Sequence, residues 1–167
     1  MSYVETLTLI HVVISLVGIG SGFVVVYGLL TGRRLQGWTT LFLATTVATS
    51  ATGFLFPFER LLPSHKIGTV SLFVLALAIL ARYAFRMAGA WRWIYVVGAV
   101  VALYLNVFVG VVQAFLHVPF LHALAPTQSE TPFLLTQLVV LLFFVALAVV
   151  AAIRFRVEPV GMLPRTA

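Results

Sequence analysis

The sequence predicts an all-α fold, a single polytopic membrane domain over residues 1–167 made of a bundle of five transmembrane helices. Three observations predict it. Hydrophobic residues make up 62% of the chain and charged residues only 8%, with a mean hydropathy of +1.16, far from the composition of a soluble domain. The apolar residues also gather into five long runs, each near the roughly 17–25 residues a spanning helix needs. Finally, the runs are unbroken rather than alternating, which argues against a closed β-barrel, the other structure a bilayer tolerates.

The spans are expected at about residues 6–30, 38–57, 65–86, 92–118 and 132–154. The first stops at Thr31-Gly32-Arg33-Arg34 and the second at the stretch from Pro57 to Pro63. Gly89 separates the third from the fourth, Pro119 to Pro132 the fourth from the fifth, and Arg154 closes the last. The second run is the shortest. Connection 119–131 carries Pro119, Pro126 and little charge, and is expected to pack across the surface of the bundle.

Charge sets the direction. Arg33, Arg34, Arg82, Arg86, Arg92, Arg154, Arg156 and Arg165 fall on one side, opposed only by Glu158. The other side has Arg60 and Lys66 against Glu5, Glu59 and Glu130. The positive-inside rule therefore predicts an N-out/C-in protein of the bacterial inner membrane. Trp38, Trp91, Trp93, Tyr27, Tyr83 and Tyr95 gather at the arginine side, as an aromatic belt does. The sequence pI near 10.6 reflects juxtamembrane arginines suited to anionic lipid, and no nucleic-acid partner is expected. The start, Met1-Ser2-Tyr3-Val4-Glu5, lacks the basic region of a cleaved signal peptide. The chain has no cysteine, so disulfides, thiolate metal sites and covalent c-type haem are excluded.

The polar residues inside the spans collect on the side away from the arginines. All four histidines, His11, His65, His117 and His122, lie near that face, with Gln113 and Gln137 about one turn deeper. His11, Ser15, Gly18 and Gly22 share one helical face, and Asn106, Gly110, Gln113 and His117 repeat that spacing on the fourth span. The simplest arrangement sets these two stripes face to face, with Thr45, Thr49 and Thr52 as a third wall.

Each feature has a plain structural account. Gly18 and Gly22 form a small-x-x-x-small pattern, which serves helix packing more often than a ligand slot. Threonines in a helix commonly bond back to their own backbone. Asn106 near mid-membrane needs a partner, and helix–helix adhesion accounts for it as well as a site does. Interfacial location alone suffices for His122 and is weaker for His11 and His117.

A cofactor site would draw on the same residues. Haem b needs two neutral imidazoles, room beside Gly18 and Gly22, hydrogen bonds from groups such as Asn106, Gln113 and Gln137, and cations for its propionates, for which Arg60 and Lys66 are suitably placed. Copper or zinc would take His11, His65, His117 or His122, with Glu59 or Glu130. A quinone would use one histidine and amides, with Phe54, Phe56, Phe58 and Phe115 around it. No nucleophile triad, intramembrane carboxylate dyad or phosphate loop is present in the sequence. Two classes of function follow: a redox or electron-transfer protein, and a non-enzymatic accessory, assembly or scaffold subunit of a larger membrane complex or homo-oligomer.

Four segments, Thr52-Gly53-Phe54-Leu55-Phe56-Pro57-Phe58, Leu62-Pro63-Ser64-His65, Ala88-Gly89-Ala90-Trp91-Arg92-Trp93-Ile94-Tyr95 and Ala125-Pro126-Thr127-Gln128-Ser129-Glu130, carry a resemblance. The chain resembles a group of small five-helix proteobacterial inner-membrane proteins to which no activity is attached. It is more loosely similar to small b-type membrane cytochromes in having histidines near one membrane face. Neither resemblance assigns a role to any residue.

Overall fold

The computed structural model describes residues 2–56 and 63–155, with only the backbone described for 63–65. Among them the chain is all-helical. Helix α1 runs from Tyr3 to Leu30, α2 from Gln36 to Gly53 and α3 from Pro63 to Ile79, continued by a π-helical turn, Leu80–Ala84. Helix α4 covers Trp91–His117, α5 Pro119–Leu124 and α6 Thr131–Arg154. Tyr3–Leu30, Lys66–Ala84, Trp91–His117 and Thr131–Arg154 are long and apolar enough to cross a membrane, giving four candidate spans and a multi-pass membrane protein. The predicted second span, α2, is helical for 18 residues but is not among these four.

Local chemistry fixes the helix ends. Ser2 and Glu5 start α1 with a reciprocal capping box, Ser2 N–H donating to Glu5 Oε2 at 2.8 Å and Glu5 N–H to Ser2 Oγ at 3.3 Å. At the other end Gly32 takes a φ of +71°. Arg33 N–H then reaches Gly28 O at 2.8 Å and Gly32 N–H reaches Leu29 O at 3.4 Å, the two bonds of a Schellman stop. The chain folds back so closely that a Cβ on Gly28 would lie 3.0 Å from Arg33 O. The π-helical turn has no glycine. It closes through Met87 N–H on Ala81 O at 2.8 Å, with Arg86 and Met87 both at positive φ.

Consecutive long helices pack antiparallel. Gly18 faces Thr45 while Gly22 faces Phe42, which sets the register of α1 against α2. Ser50 meets Ser71, and Thr40 meets Tyr83, between α2 and the α3 hairpin arm. Helix α4 is the hub, touching α1, α3, α5 and α6. Its Tyr95, Val96, Ala99, Val100 and Leu103 are almost fully buried. Helix α6 lies along α4 and α1 and leaves most of its Leu, Val and Phe side chains exposed, as a lipid-facing helix does.

Helix α2 buries hydroxyls beside apolar side chains. Trp38, Leu41, Ala44 and Ala51 face outward along with Gln36 and Thr40, whereas Thr39, Thr46, Thr49 and Ser50 are buried with Phe42 and Leu43. Part of its low hydropathy therefore comes from hydroxyls turned inward. At about 1.5 Å per residue it is about 27 Å long, close to the hydrocarbon thickness of a bilayer.

Connection 119–131 packs onto the bundle end through α5. Pro119 occupies the first turn, where its missing N–H costs nothing. Ala125 is fully buried, and Gln128 donates to Val112 O at 2.9 Å.

Candidate functional site

The polar groups away from the arginine end form a seam between α1 and α2, continued by α4. His11 is half-buried, with Nδ1 2.8 Å from Thr52 Oγ1 and its ring edge-on to Phe56 at 5.4 Å. Thr52 already donates its hydroxyl proton backward, to Ala48 O at 2.8 Å or Thr49 O at 3.1 Å. Its oxygen is thus left to accept from His11, which assigns the Nδ1–H tautomer and leaves the Nε2 lone pair unprotonated. One turn on, Ser15 donates to His11 O at 2.7 Å and lies 3.4 Å from Thr49 Oγ1. Backbone capture accounts for Thr39, Thr40 and Thr45 as well, each donating to the carbonyl four residues earlier.

Deeper in the bundle the two sequence stripes meet. A Cβ on Gly18 would approach Asn106 Nδ2 at 3.2 Å, Thr45 Oγ1 at 3.3 Å and Thr46 Oγ1 at 3.4 Å. Asn106 Nδ2 donates to Thr46 Oγ1 at 3.5 Å, so one amide joins three helices. A Cβ on Gly22 would lie 2.6 Å from Leu103 Cδ1 and 2.9 Å from Phe42 Cε2. The space beside both glycines is filled by side chains, and a haem plane does not fit there.

The remaining candidates are dispersed. His117 is exposed, with Nδ1 3.0 Å from Gln113 O of its own helix, and Gln113 itself is exposed. His122 is exposed on α5 and Lys66 on α3. Gln137 ties α6 to α4, donating from Nε2 to Phe108 O at 3.3 Å, while its buried Oε1 has no partner among the described residues. Glu130 accepts from Thr127 N–H at 3.1 Å, Thr127 Oγ1 at 2.9 Å and Ser129 N–H at 3.1 Å, which closes the loop ahead of α6. Hydrogen bonds hold its carboxyl below the ordinary value: desolvation pushes it up, and the Thr127 hydroxyl and the loop amides outweigh that. Arg60, Glu59, Phe58 and the His65 side chain lie outside the described residues. Among those described, no three His, Cys, Asp or Glu side chains come together.

The aromatic residues considered for a quinone separate. Phe56 lies on His11, Phe54 lies against the Gly68 face of α3, and Phe115 packs edge-on to Phe133 at 5.3 Å. Two contacts had no prior assignment. Ser50 donates to Ser71 at 2.9 Å in a buried α2–α3 link, whose signal was the small-residue face Gly68, Ser71 and Ala78. Arg82 reaches in at the opposite end to donate to buried Tyr95 at 3.1 Å.

No known protein family, curated relative or solved structure matches the chain.

Proposed function

We propose that the chain is a five-span, N-out/C-in protein of the bacterial inner membrane, with α2 as its fifth span. It acts as a non-enzymatic accessory or scaffold subunit of a larger complex or homo-oligomer. The observation that supports this best is how the seam spends its polar groups. Ser15, Thr49, Thr52, Asn106 and Thr46 bond to one another, to His11 or to backbone, and side chains fill the space at Gly18 and Gly22. Polar groups so used hold helices together in lipid, each contact contributing about 0.6–2 kcal/mol. The exposed apolar side chains of α2 and α6 favour bilayer contact.

The test is recovery of the tagged full-length chain from its native membrane in mild detergent. A larger assembly of fixed size is expected, with His11→Ala and His117→Ala lowering its yield without changing cofactor content. A chain that runs as a monomer, with yield insensitive to either substitution, would overturn this function.

A second function is favoured by one observation, the contact of His11 Nδ1 with Thr52 Oγ1, which leaves Nε2 free of any protein hydrogen-bond partner among the described residues. A histidine with its other nitrogen so bonded is prepared as a ligand. With His65, His117 or His122 it would hold copper or zinc, or haem b at the α1–α2 edge, in a redox role that can involve quinone. Oxidised and dithionite-reduced absorption spectra with elemental analysis on one sample decide between the two. A reduced α-band or stoichiometric metal, lost in His11→Ala, would replace the scaffold reading.

A further inference from the structure

The arginine end has a shallow, tightly packed cleft, too narrow to admit a water molecule between its walls, that the seam does not touch. Arg33 and Arg34, from the turn after α1, and Arg82, from the π-helical turn, line it together with Thr39, Tyr95 and Phe155. The Schellman stop at Gly32 puts the first two there by folding the chain back over the end of α1. Arg82 is held in place: its Nη1 donates to Tyr95 Oη at 3.1 Å, and its guanidinium carbon lies 5.1 Å from that ring centroid. Tyr95 is 1% exposed and Arg82 half-buried.

The cleft is charged and under-compensated. Arg82 meets a neutral hydroxyl and aromatic faces, and a half-buried guanidinium without an anion is costly. The described acids, Glu5 and Glu130, lie at the other end of their helices. By sequence this side has eight arginines against one carboxylate, Glu158, so the chain itself can neutralise only one of them. Arg82 has five N–H donors in a rigid fork and spends one on Tyr95. Exposed Trp38, Tyr27, Tyr83 and Trp93 surround this end, at the level where an aromatic belt meets headgroups.

We infer that the Arg33–Arg34–Arg82 cluster binds an anionic phosphate group at its solvent-facing mouth, supplied by a lipid headgroup or by free phosphate. Arg82 is the fixed donor and Arg33 and Arg34 close over the anion from the exposed rim. This holds whichever role the histidine end has. The shape of Arg matters as well as its charge, because a fork pairs two phosphate oxygens where a lysine offers a single point.

Native mass spectrometry of the detergent-released full-length chain, titrated separately with phosphatidylglycerol, phosphatidylcholine and inorganic phosphate, tests this. Phosphatidylglycerol retained at least about tenfold over phosphatidylcholine, and reduced about tenfold by Arg82→Gln, would support a lipid headgroup; tenfold corresponds to loss of one charge-assisted bond. Saturable inorganic phosphate that displaces the lipid, with the same loss, would support a free anion at the same place. Because Arg82 is half-buried, the exposed pair Arg33→Gln/Arg34→Gln serves as a second variant whose folding is not at stake. Equal retention of both lipids and no saturable phosphate in the unmodified chain, or retention unchanged in both variants, would overturn the site.

Discussion

The two ends of this bundle handle polarity in opposite ways. In the seam at the histidine end the polar groups are neutral, short and paired across helices: His11 with Thr52, Asn106 with Thr46, Ser15 beside Thr49. At the arginine end they are long and cationic, and one of them, Arg82, is set into the bundle against Tyr95. The difference teaches where each end looks for partners. Neutral hydroxyls and amides can be satisfied inside the protein and then act as adhesive. Excess guanidinium has too few carboxylates on its side to be neutralised within the chain and is left to solvent or to anions from outside.

The contrast is broken most severely by disturbing the space the histidine-end seam encloses. Gly22→Ala puts a methyl 2.6 Å from Leu103 Cδ1 and 2.9 Å from Phe42 Cε2, both on fully buried side chains. The expected loss is about 1–3 kcal/mol, the usual cost of overpacking. Gly20→Ala, with nothing within 4 Å of the added carbon, is the control and should be neutral or stabilising. Reversible unfolding in mixed micelles measures both. Equal effects would mean that the seam is looser than its geometry, and that a flat ligand still has room there.

Asn106→Leu comes next. It removes the amide that reaches Thr46 and lies over Gly18, and should lower stability by about 0.6–2 kcal/mol. A double-mutant cycle of His11→Ala with Thr52→Val sharpens the same comparison at the edge of the seam. Coupling of about 0.6 kcal/mol is expected if the pair is only adhesive. Both single variants losing a bound cofactor together would move the histidine end out of the adhesive class.

Gln137 is smaller again, and its sign is informative. Replacing it by Leu removes a 3.3 Å bond to Phe108 O but also removes Oε1, which is buried and unpartnered among the described residues. The two contributions oppose, so the change should stay within about 1 kcal/mol. A loss well beyond that would mean that Oε1 has a partner supplied from outside the chain, and that the neutral end is less self-contained than the pairing across α1 and α2 implies.

How much of this was legible in the sequence depended on whether a signal is local. Four of the five predicted spans are helices apolar enough to cross a membrane. Helical phase put Gly18 and Gly22 on one face of α1 and Asn106 on a face of α4, and the structure brings Asn106 beside Gly18. The upper part of that expectation differs. His11 and Ser15 turn toward α2, while His117 stays exposed against its own helix. A stripe four residues deep is broad enough to serve two neighbours, and phase does not say which. The burial of the α2 hydroxyls needed the packing, because Thr39, Thr46 and Thr49 look the same in sequence whether lipid or protein covers them. The π-helical turn left no mark either, since Arg86 and Met87 rather than glycines take the positive φ values. Pro119 signalled α5, but six residues are too few for a periodic pattern.

The mildest perturbation uses pH, and it isolates a charged group built into the loop ahead of α6 at the histidine end. Glu130 is partly exposed to solvent and holds Thr127 and Ser129 through its two carboxylate oxygens. Desolvation raises its pKa, and the hydrogen bonds from the Thr127 hydroxyl and the loop amides more than reverse that, leaving it below its ordinary 4.5. A carboxyl depressed on folding binds its proton more readily in the unfolded chain. Its contribution is therefore fully present above the ordinary value and is lost as pH falls through the lower folded one. Hydrogen exchange at the Thr127 and Ser129 amides, corrected for intrinsic rates, should lose protection across that acid range. Glu130→Gln should flatten the dependence, since a neutral amide keeps an acceptor without a proton to gain. Protection that falls with the same profile in the variant would assign the pH sensitivity to another group and remove Glu130 as the clasp of the α5–α6 loop.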